Sequence, residues 1–333
     1  MINFSYLIVL VFAFIMFMKS TTIGEIFGVM SCPDKSRKFH NKSVAQVGGI
    51  IFFFSLVFLA ILNYQDIDRI INDFTQSTTL KKLIFFLSFF TLFSLGLIDD
   101  RQNLNANTKL LFLLLISYLL LISLSQQLIY LKFSFYKDID LFEYNSLFFI
   151  FIFIFLINTM NMFDGINLQS SSYFLIIWSY IVAYLGFDLI IASTIIFLVL
   201  FSVFNYNNKL FLGDCGVYLL TFLSFIYLLK IYNSQEIVTI DEIASLLLLP
   251  CVDCCRVILI RLLNKQSPFI GDREHFHYKL LQKFSYKVTI TVIFLGSIMP
   301  IIFYKILNVS FIITIIIFFF FYIICLLSKK KIN

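Results

Sequence analysis

Two adjacent aspartates, Asp99 and Asp100, close an apolar run that reads LIFFLSFFTLFSLGLIDD. The run is long enough to cross a bilayer, and each carboxylate held at mid-membrane costs roughly 2–3 kcal/mol on insertion scales. Two side by side also repel each other. Such a pair calls for a cation between or beside the carboxylates, most simply a divalent metal. Other polar residues stand in comparably unusual places. The segment NTMNMFDGINL carries Asn158, Asn161, Asp164, Gly165 and Asn167. FNYNNKLFLGDCG carries Asn205, Lys209, Gly213, Asp214 and Gly216. RLLNKQSPFIGDREHFHYKLL carries Asp272, Arg273, His275 and His277, and RKFHNKSVAQVGG carries Arg37, Lys38 and His40.

These residue types suit one kind of ligand. Carboxylates and amide oxygens at helix ends bind Mg²⁺, a hard cation that prefers oxygen. Arginine, lysine and histidine beside them complement phosphate oxygens. Asn158 and Asn161 are three residues apart and share a helix face with each other and, one turn on, with Asp164. Gly165, Gly213 and Gly216 let backbone approach a ligand closely. Each element also has a plainer reading: interhelical hydrogen bonding for Asn158 and Asn161, a helix cap for Asp214, an ordinary loop for His275 and His277. Their joint occurrence is what favours the chemical reading.

The elements that must position these residues are membrane helices. The chain has 333 residues, 60% hydrophobic and 13% charged, with a mean hydropathy of +0.95; no soluble domain of that size hides so much apolar surface. About eleven apolar runs of span length occur, near 2–18, 46–63, 82–98, 109–126, 146–162, 170–185, 188–205, 215–232, 243–262, 289–305 and 309–327. The expected fold is an all-α polytopic bundle of about eleven transmembrane helices, ten being the alternative, in a single catalytic domain spanning 1–333. The first run lacks a basic flank and a small-residue cleavage site, so it reads as a retained span. Cys251, Cys254 and Cys255 lie inside a span with no partner pair at metal spacing and read as packing. Asp253, in the same run, reads as facing the bundle interior and pairing with Arg256 one turn away.

Charge sets the orientation. Segments 19–45, 99–109, 162–170, 205–215, about 256–288 and the tail hold 18 of the 25 Lys and Arg residues. The positive-inside bias puts this set in the cytoplasm, with the N-terminus outside and the C-terminus inside. The cytoplasmic loops are then about 19–45, 99–109, 162–170, 205–215 and 263–288, and all the motif residues fall on that face. A transporter or flippase for a phosphorylated or nucleotide-linked solute is the alternative reading. Transporters, however, place ionisable residues near the bilayer midplane, often within repeats, and here they cluster at one face with no repeat visible.

Five segments in order, RKFH…GG, GLIDDRQNL, NTMNMFDGIN, FLGDCG and P..D…R…SPF..DREHFH, make the chain resemble the polyprenyl-phosphate N-acetylhexosamine-1-phosphate transferases over about residues 33–278. This superfamily also includes the phospho-MurNAc-pentapeptide translocase. The resemblance implies transfer of N-acetylhexosamine-1-phosphate from a UDP-sugar, with UDP-GlcNAc the default donor, to undecaprenyl phosphate, releasing UMP in the first membrane step of surface-glycan synthesis. It further implies Mg²⁺ or Mn²⁺ as cofactor and a multi-pass protein of the inner (plasma) membrane with its active site on the cytoplasmic face. The lipid bilayer is its other partner, nucleic acid is not one, and a homodimer is left open. By the same resemblance Asp214, with Asn158, ligates the metal, while Asp99 and Asp100 lie beside metal and lipid phosphate. Asn158, Asn161 and Asp164 contact metal or nucleotide; Arg273, His275 and His277, with Asp272, hold diphosphate or sugar; Lys38, His40 and Asn205 complete the substrate set. The chain departs from the family pattern at Asn103, where a third acid often follows the pair, at Leu168, where DGxxGL has its second glycine, at Val217, and at Tyr278 in place of a further histidine.

Overall fold

A computed structural model describes residues 4–32, 43–76, 78–125, 128–235, 237–268 and 273–328. The chain is helical almost throughout. It opens with α1 (Phe4–Met18) and α2 (Ser20–Phe27), followed by α3 (Gly48–Leu62), α4 (Tyr64–Thr75), α5 (Thr79–Gln102) and α6 (Ala106–Ser123). Then come α7 (Asn145–Phe163), α8 (Gln169–Leu185), α9 (Leu189–Tyr206) and α10 (Gly213–Ser234). The chain closes with α11 (Ile240–Leu246), α12 (Leu248–Leu263), α13 (Phe276–Leu281), α14 (Tyr286–Ile301) and α15 (Phe311–Leu327). Two two-residue ladders, Met30–Ser31 with Val44–Ala45 and Tyr130–Leu131 with Ile139–Asp140, are the strands among the described residues.

Every expected apolar run coincides with a helix or a bent pair of helices. By length and composition six helices can cross a membrane, or up to nine if each bent pair is one span. The bends are 73° between α1 and α2, 110° between α3 and α4, and 75° between α11 and α12. Helix α2 thus occupies part of the expected loop 19–45, and Asp99 and Asp100 lie inside α5 rather than in a loop. The α3–α4 break has a sequence cause: after Asn63 the apolar run gives way to an amphipathic segment, with Ile67, Ile71 and Phe74 buried and Asp66, Asp68, Arg69 and Asp73 on its polar side.

Helix α10 is the axis of the bundle, with 89% of its apolar window buried, and α3, α5, α7 and α8 surround it. Glycine sets how closely they approach. A Cβ on Gly49 of α3 would overlap the backbone of Gly216, and one on Gly96 of α5 would overlap the backbone of Cys215. The start of α10 therefore sits wedged between α3 and α5 with backbone against backbone. The preceding segment is laced to the chain before α3: Phe211 N donates to Ala45 O (2.8 Å), Gly48 N to Phe211 O (3.0 Å) and Gly49 N to Leu212 O (2.9 Å).

Candidate active site

The end of α5 meets the start of α10. Asp100 Oδ1 accepts from the backbone N–H of Asp214 (2.8 Å) and Oδ2 from that of Cys215 (3.1 Å). It thus performs for α10 what an N-cap side chain performs, from a different helix and with the favourable sign for the helix dipole. Gly213, at φ 75°, makes the left-handed turn into α10 that glycine takes at no steric cost. Asp99, its side chain 1% exposed, accepts from Leu104 N (2.9 Å) and Tyr218 OH (3.3 Å). Lys109 Nζ of α6 lies 2.5 Å from Asp99 Oδ2 and 4.0 Å from Asp214 Oδ2. Asp214 interacts with both Asp99 and Asp100, and at 31% exposure its side chain keeps an open face. The three carboxylates and the ammonium form one cluster.

Sequence reasoning missed Lys109. Its signal was present, because it is the single charged residue between Arg101 and Lys132. A lone cation entering an apolar run just after an acidic pair has a natural partner in that pair.

A second group of residues borders the first. Asp164 caps α7, with its N–H on Met160 O at 3.1 Å, and accepts a hydrogen bond from Ser170 Oγ. Burial pushes its carboxyl up to about 6, against the pull of that Ser170 bond, and its charge acts on Asp100. Asn158 spends its amide N–H on Ile154 O (2.8 Å), which leaves its oxygen as the donor atom for a cation. Asn161 has a buried Nδ2 without a partner. The DGINL turn continues to Leu168, whose φ of 65° is left-handed. Leu168 N donates to Asn205 Oδ1 (2.7 Å), and Asn205 Nδ2 donates to Leu210 O (3.0 Å). Asn205 thus ties the turn to the segment leading into α10, with its side chain given to internal bonds. Asn167 is bonded on both sides, by its Nδ2 to Asn208 Oδ1 (2.6 Å) and at its carbonyl from Tyr286 OH (2.8 Å).

The histidines reach this turn from the other side. His277 is buried, and its Nε2, which has no partner, packs so closely on Gly165 that a Cβ there would overlap the ring. Its Nδ1 lies 3.3 Å from Gln169 Nε2; with that amide donating, the ring proton sits on Nε2. Burial holds the imidazole down to about 3, so it is neutral. His275 Nδ1 is 2.9 Å from Asp253 Oδ2, and the two histidine rings lie parallel with centroids 5.7 Å apart. Asp253 does meet Arg256, at 2.8 Å. Arg273 is partly buried at the start of the described part of this loop. Lys38, His40 and Asp272 lie outside the described residues. Cys254 Sγ contacts Met162 Sδ at 3.6 Å.

Oxygen donors from Asp214, Asp99, Asp100 and Asn158 fit a hard divalent cation in their chemistry. Among the described residues, however, no three His, Cys, Asp or Glu side chains are grouped to hold a metal. Two of the aspartates are drawn instead onto Lys109 and the α10 N-terminus.

The fold and this cluster define an all-α, multi-pass membrane protein that gathers carboxylates, a lysine and histidines at one end of its bundle. Residues 82–232, from α5 to α10, match the glycosyl transferase family 4. It is 26% identical over 278 residues, 78% of this chain and 72% of the relative, to a probable undecaprenyl-phosphate N-acetylglucosaminyl 1-phosphate transferase of Bacillus subtilis (strain 168).

Proposed function

We propose that the protein transfers a sugar-1-phosphate, N-acetylhexosamine-1-phosphate, from a UDP-sugar to polyprenyl phosphate and releases UMP. The end of the bundle that carries the site faces the cytoplasm in this reading, which the distribution of basic residues supports. The observation that carries the proposal is the meeting of Asp99, Asp100, Asp164, Asp214 and Lys109 where α5 ends and α10 begins. A phosphate ester and a diphosphate brought together there need their charge offset, which is the main service a protein gives phosphoryl transfer.

In this mechanism an oxygen of the lipid phosphate attacks the β-phosphorus of the sugar nucleotide. The bond from that phosphorus to the bridging oxygen breaks, and UMP leaves with the electron pair. A phosphomonoester is largely ionised at neutral pH, so Asp99 and Asp100 need not take its proton. Their work is positional: Asp100 fixes the start of α10, and so Asp214, while Asp99 holds Lys109. The Lys109 ammonium, held beside Asp99 and Asp214, would offset charge that accumulates on the departing phosphate. Mg²⁺, held by Asp214 with Asn158, would supply Lewis-acid neutralisation of the diphosphate. Neutral His277 offers an Nε2–H to phosphate or sugar oxygens, beside the unpartnered amide of Asn161. Helices rather than a soluble fold suit a reaction whose acceptor stays in the bilayer.

The test is a membrane assay with undecaprenyl phosphate and a panel of labelled UDP-sugars, with and without Mg²⁺. UMP release that requires lipid, nucleotide and metal together is the expected result. Failure of every donor, or full activity of both Asp214→Asn and Asp100→Asn, refutes the proposal.

A further inference from the structure

A buried carboxylate outside the cluster holds the histidine loop in place. Asp253 sits in α12 at 1% exposure, and four donors converge on it. Its Oδ1 accepts from Tyr322 OH of α15 (2.7 Å), Arg256 Nη2 (2.8 Å) and Phe276 N (3.0 Å). Its Oδ2 accepts from His275 Nδ1 (2.9 Å) and is 3.2 Å from Phe276 N. Arg256 continues the network by donating to Glu274 O (2.5 Å) and, through Nε, to Tyr322 OH (2.7 Å). The backbone on either side of His275 is therefore pinned, along with its ring. Hydrogen bonds to a buried charge are the strong ones, and a half-satisfied network here would be costly.

We propose that Asp253, with Tyr322 and Arg256, is the positioning residue of the histidine loop: it fixes His275 and so presents His277 against Gly165 in the active site. The proposal rests on the transferase reading and extends it to α12 and α15, both outside the residues that match the family. His277 has no anchor of comparable strength of its own. Its side-chain polar contact is the 3.3 Å approach to Gln169, and its place depends on the parallel ring of His275 and on the backbone that Asp253 holds. Asp253→Asn keeps size and one acceptor oxygen. It removes the charge facing Arg256 and turns an N–H₂ or a weaker acceptor toward His275.

The experiment uses the full-length protein in detergent or nanodiscs and compares wild type with Asp253→Asn, Asp253→Glu and Tyr322→Phe. Diethyl pyrocarbonate labels accessible neutral histidines, and both rings fall in one tryptic peptide, Glu274–Lys279. Maleimide labelling of Cys215, fully buried at the start of α10, is the control for the rest of the site. In Asp253→Asn, labelling of the histidine peptide rises roughly tenfold or more while Cys215 stays protected. The KM for the UDP-sugar rises by a similar factor, the KM for polyprenyl phosphate changes less than about threefold, and Asp253→Glu recovers part of the loss. Unchanged histidine labelling overturns the proposal, as does Cys215 opening in parallel, because Asp253 would then hold the bundle rather than the loop. Open histidines with an unaltered donor KM overturn the link to the reaction. If wild type uses no donor, the transferase reading fails, while the labelling arm still decides whether Asp253 holds the loop.

Discussion

Leu168 offers the cleanest test of how the site is built. Its φ of 65° and ψ of −14° place an ordinary side chain in a region that costs an L-residue roughly 1–2 kcal/mol. The turn keeps that conformation because Leu168 N is bonded to Asn205 Oδ1 (2.7 Å) and the neighbouring Asn167 is bonded to Asn208 and Tyr286. Comparing Leu168→Gly with Leu168→Ala isolates the backbone term, since both variants lose the leucine contacts. Alanine retains the left-handed penalty. Glycine sheds it but gives back about 0.4–1 kcal/mol through the greater freedom of the unfolded chain. The glycine variant is therefore expected to be more stable than the alanine variant by about 1 kcal/mol, or about 1–3 °C in melting temperature for a chain of this size. Leu168→Asn should fall between them, because asparagine tolerates this region best among non-glycine residues. The assay is thermal unfolding in a fixed detergent, followed by a thiol-reactive or intrinsic-fluorescence probe. A glycine variant that melts at or below the alanine variant refutes the claim that backbone strain is stored in this turn.

Other outcomes follow from the site. Gly165→Ala should drive His277 out of its place and raise the donor KM at least about tenfold, read by steady-state kinetics, with little effect if the histidine loop lies elsewhere. Lys109→Met leaves Asp99 buried beside Asp214 without its cation, which should lower stability by about 1–2 kcal/mol after allowing for the part-exposed lysine and cut kcat about 100-fold; melting and turnover measure the two. Asp164 should contribute a titration. Its folded carboxyl sits near 6, above its unfolded value, so folding takes up protons between about pH 4 and 6 and stability falls as pH rises through that window, then levels. The ionised form is the one that can serve the site, so activity should rise through about pH 6, and Asp164→Asn should abolish that limb. His277 acts in the opposite sense: held down to about 3, it loses stability as pH drops below about 6.5, and His277→Gln should flatten that loss.

The positions of the helices were legible in the sequence because hydropathy alone writes them. Each apolar run became a helix or a bent pair of helices, and the motif residues Asp99, Asp100, Asp164 and Asp214 proved to be neighbours in space. The breaks were less legible. The bend at Asn63 is foreshadowed by the turn from apolar to amphipathic sequence, and the one at Leu247 by Pro250, which has no N–H to give and whose ring clashes with the carbonyl four residues back, at the end of α11. Contacts between distant segments were legible only in part. Nothing in local sequence says that Asp100 caps a helix 114 residues away, that Asn205 fastens the Asp164 turn, or that Tyr322 reaches Asp253. Gly165, Gly213 and Gly216 read from the sequence as points where backbone approaches a ligand, whereas they pack against His277, Asp100 and the Gly49 backbone.

The two ends of the bundle differ in a way that bears on function. Away from the site, charged groups are matched within the fold: Lys230 with Asp73 (2.8 Å), Lys82 with Asp68 (2.6 Å), Lys305 with Glu242 (3.2 Å), and Asp188 with Tyr227 (2.7 Å). Each pair joins helices or caps one, and its chemistry ends there. At the site, carboxylates crowd one another around a single lysine, while Asn161 Nδ2, Gln169 Oε1 and His277 Nε2 are buried without partners. Leaving a buried polar atom unpaired costs about 1–3 kcal/mol, so three together are expensive to keep for packing alone. A bound ligand rich in oxygen would satisfy the two N–H donors. Unpartnered buried atoms occur elsewhere too, at Asn72 Oδ1, Trp178 Nε1 and Asp241 Oδ1, so what distinguishes the site end is that its open N–H donors stand beside carboxylates crowding one lysine.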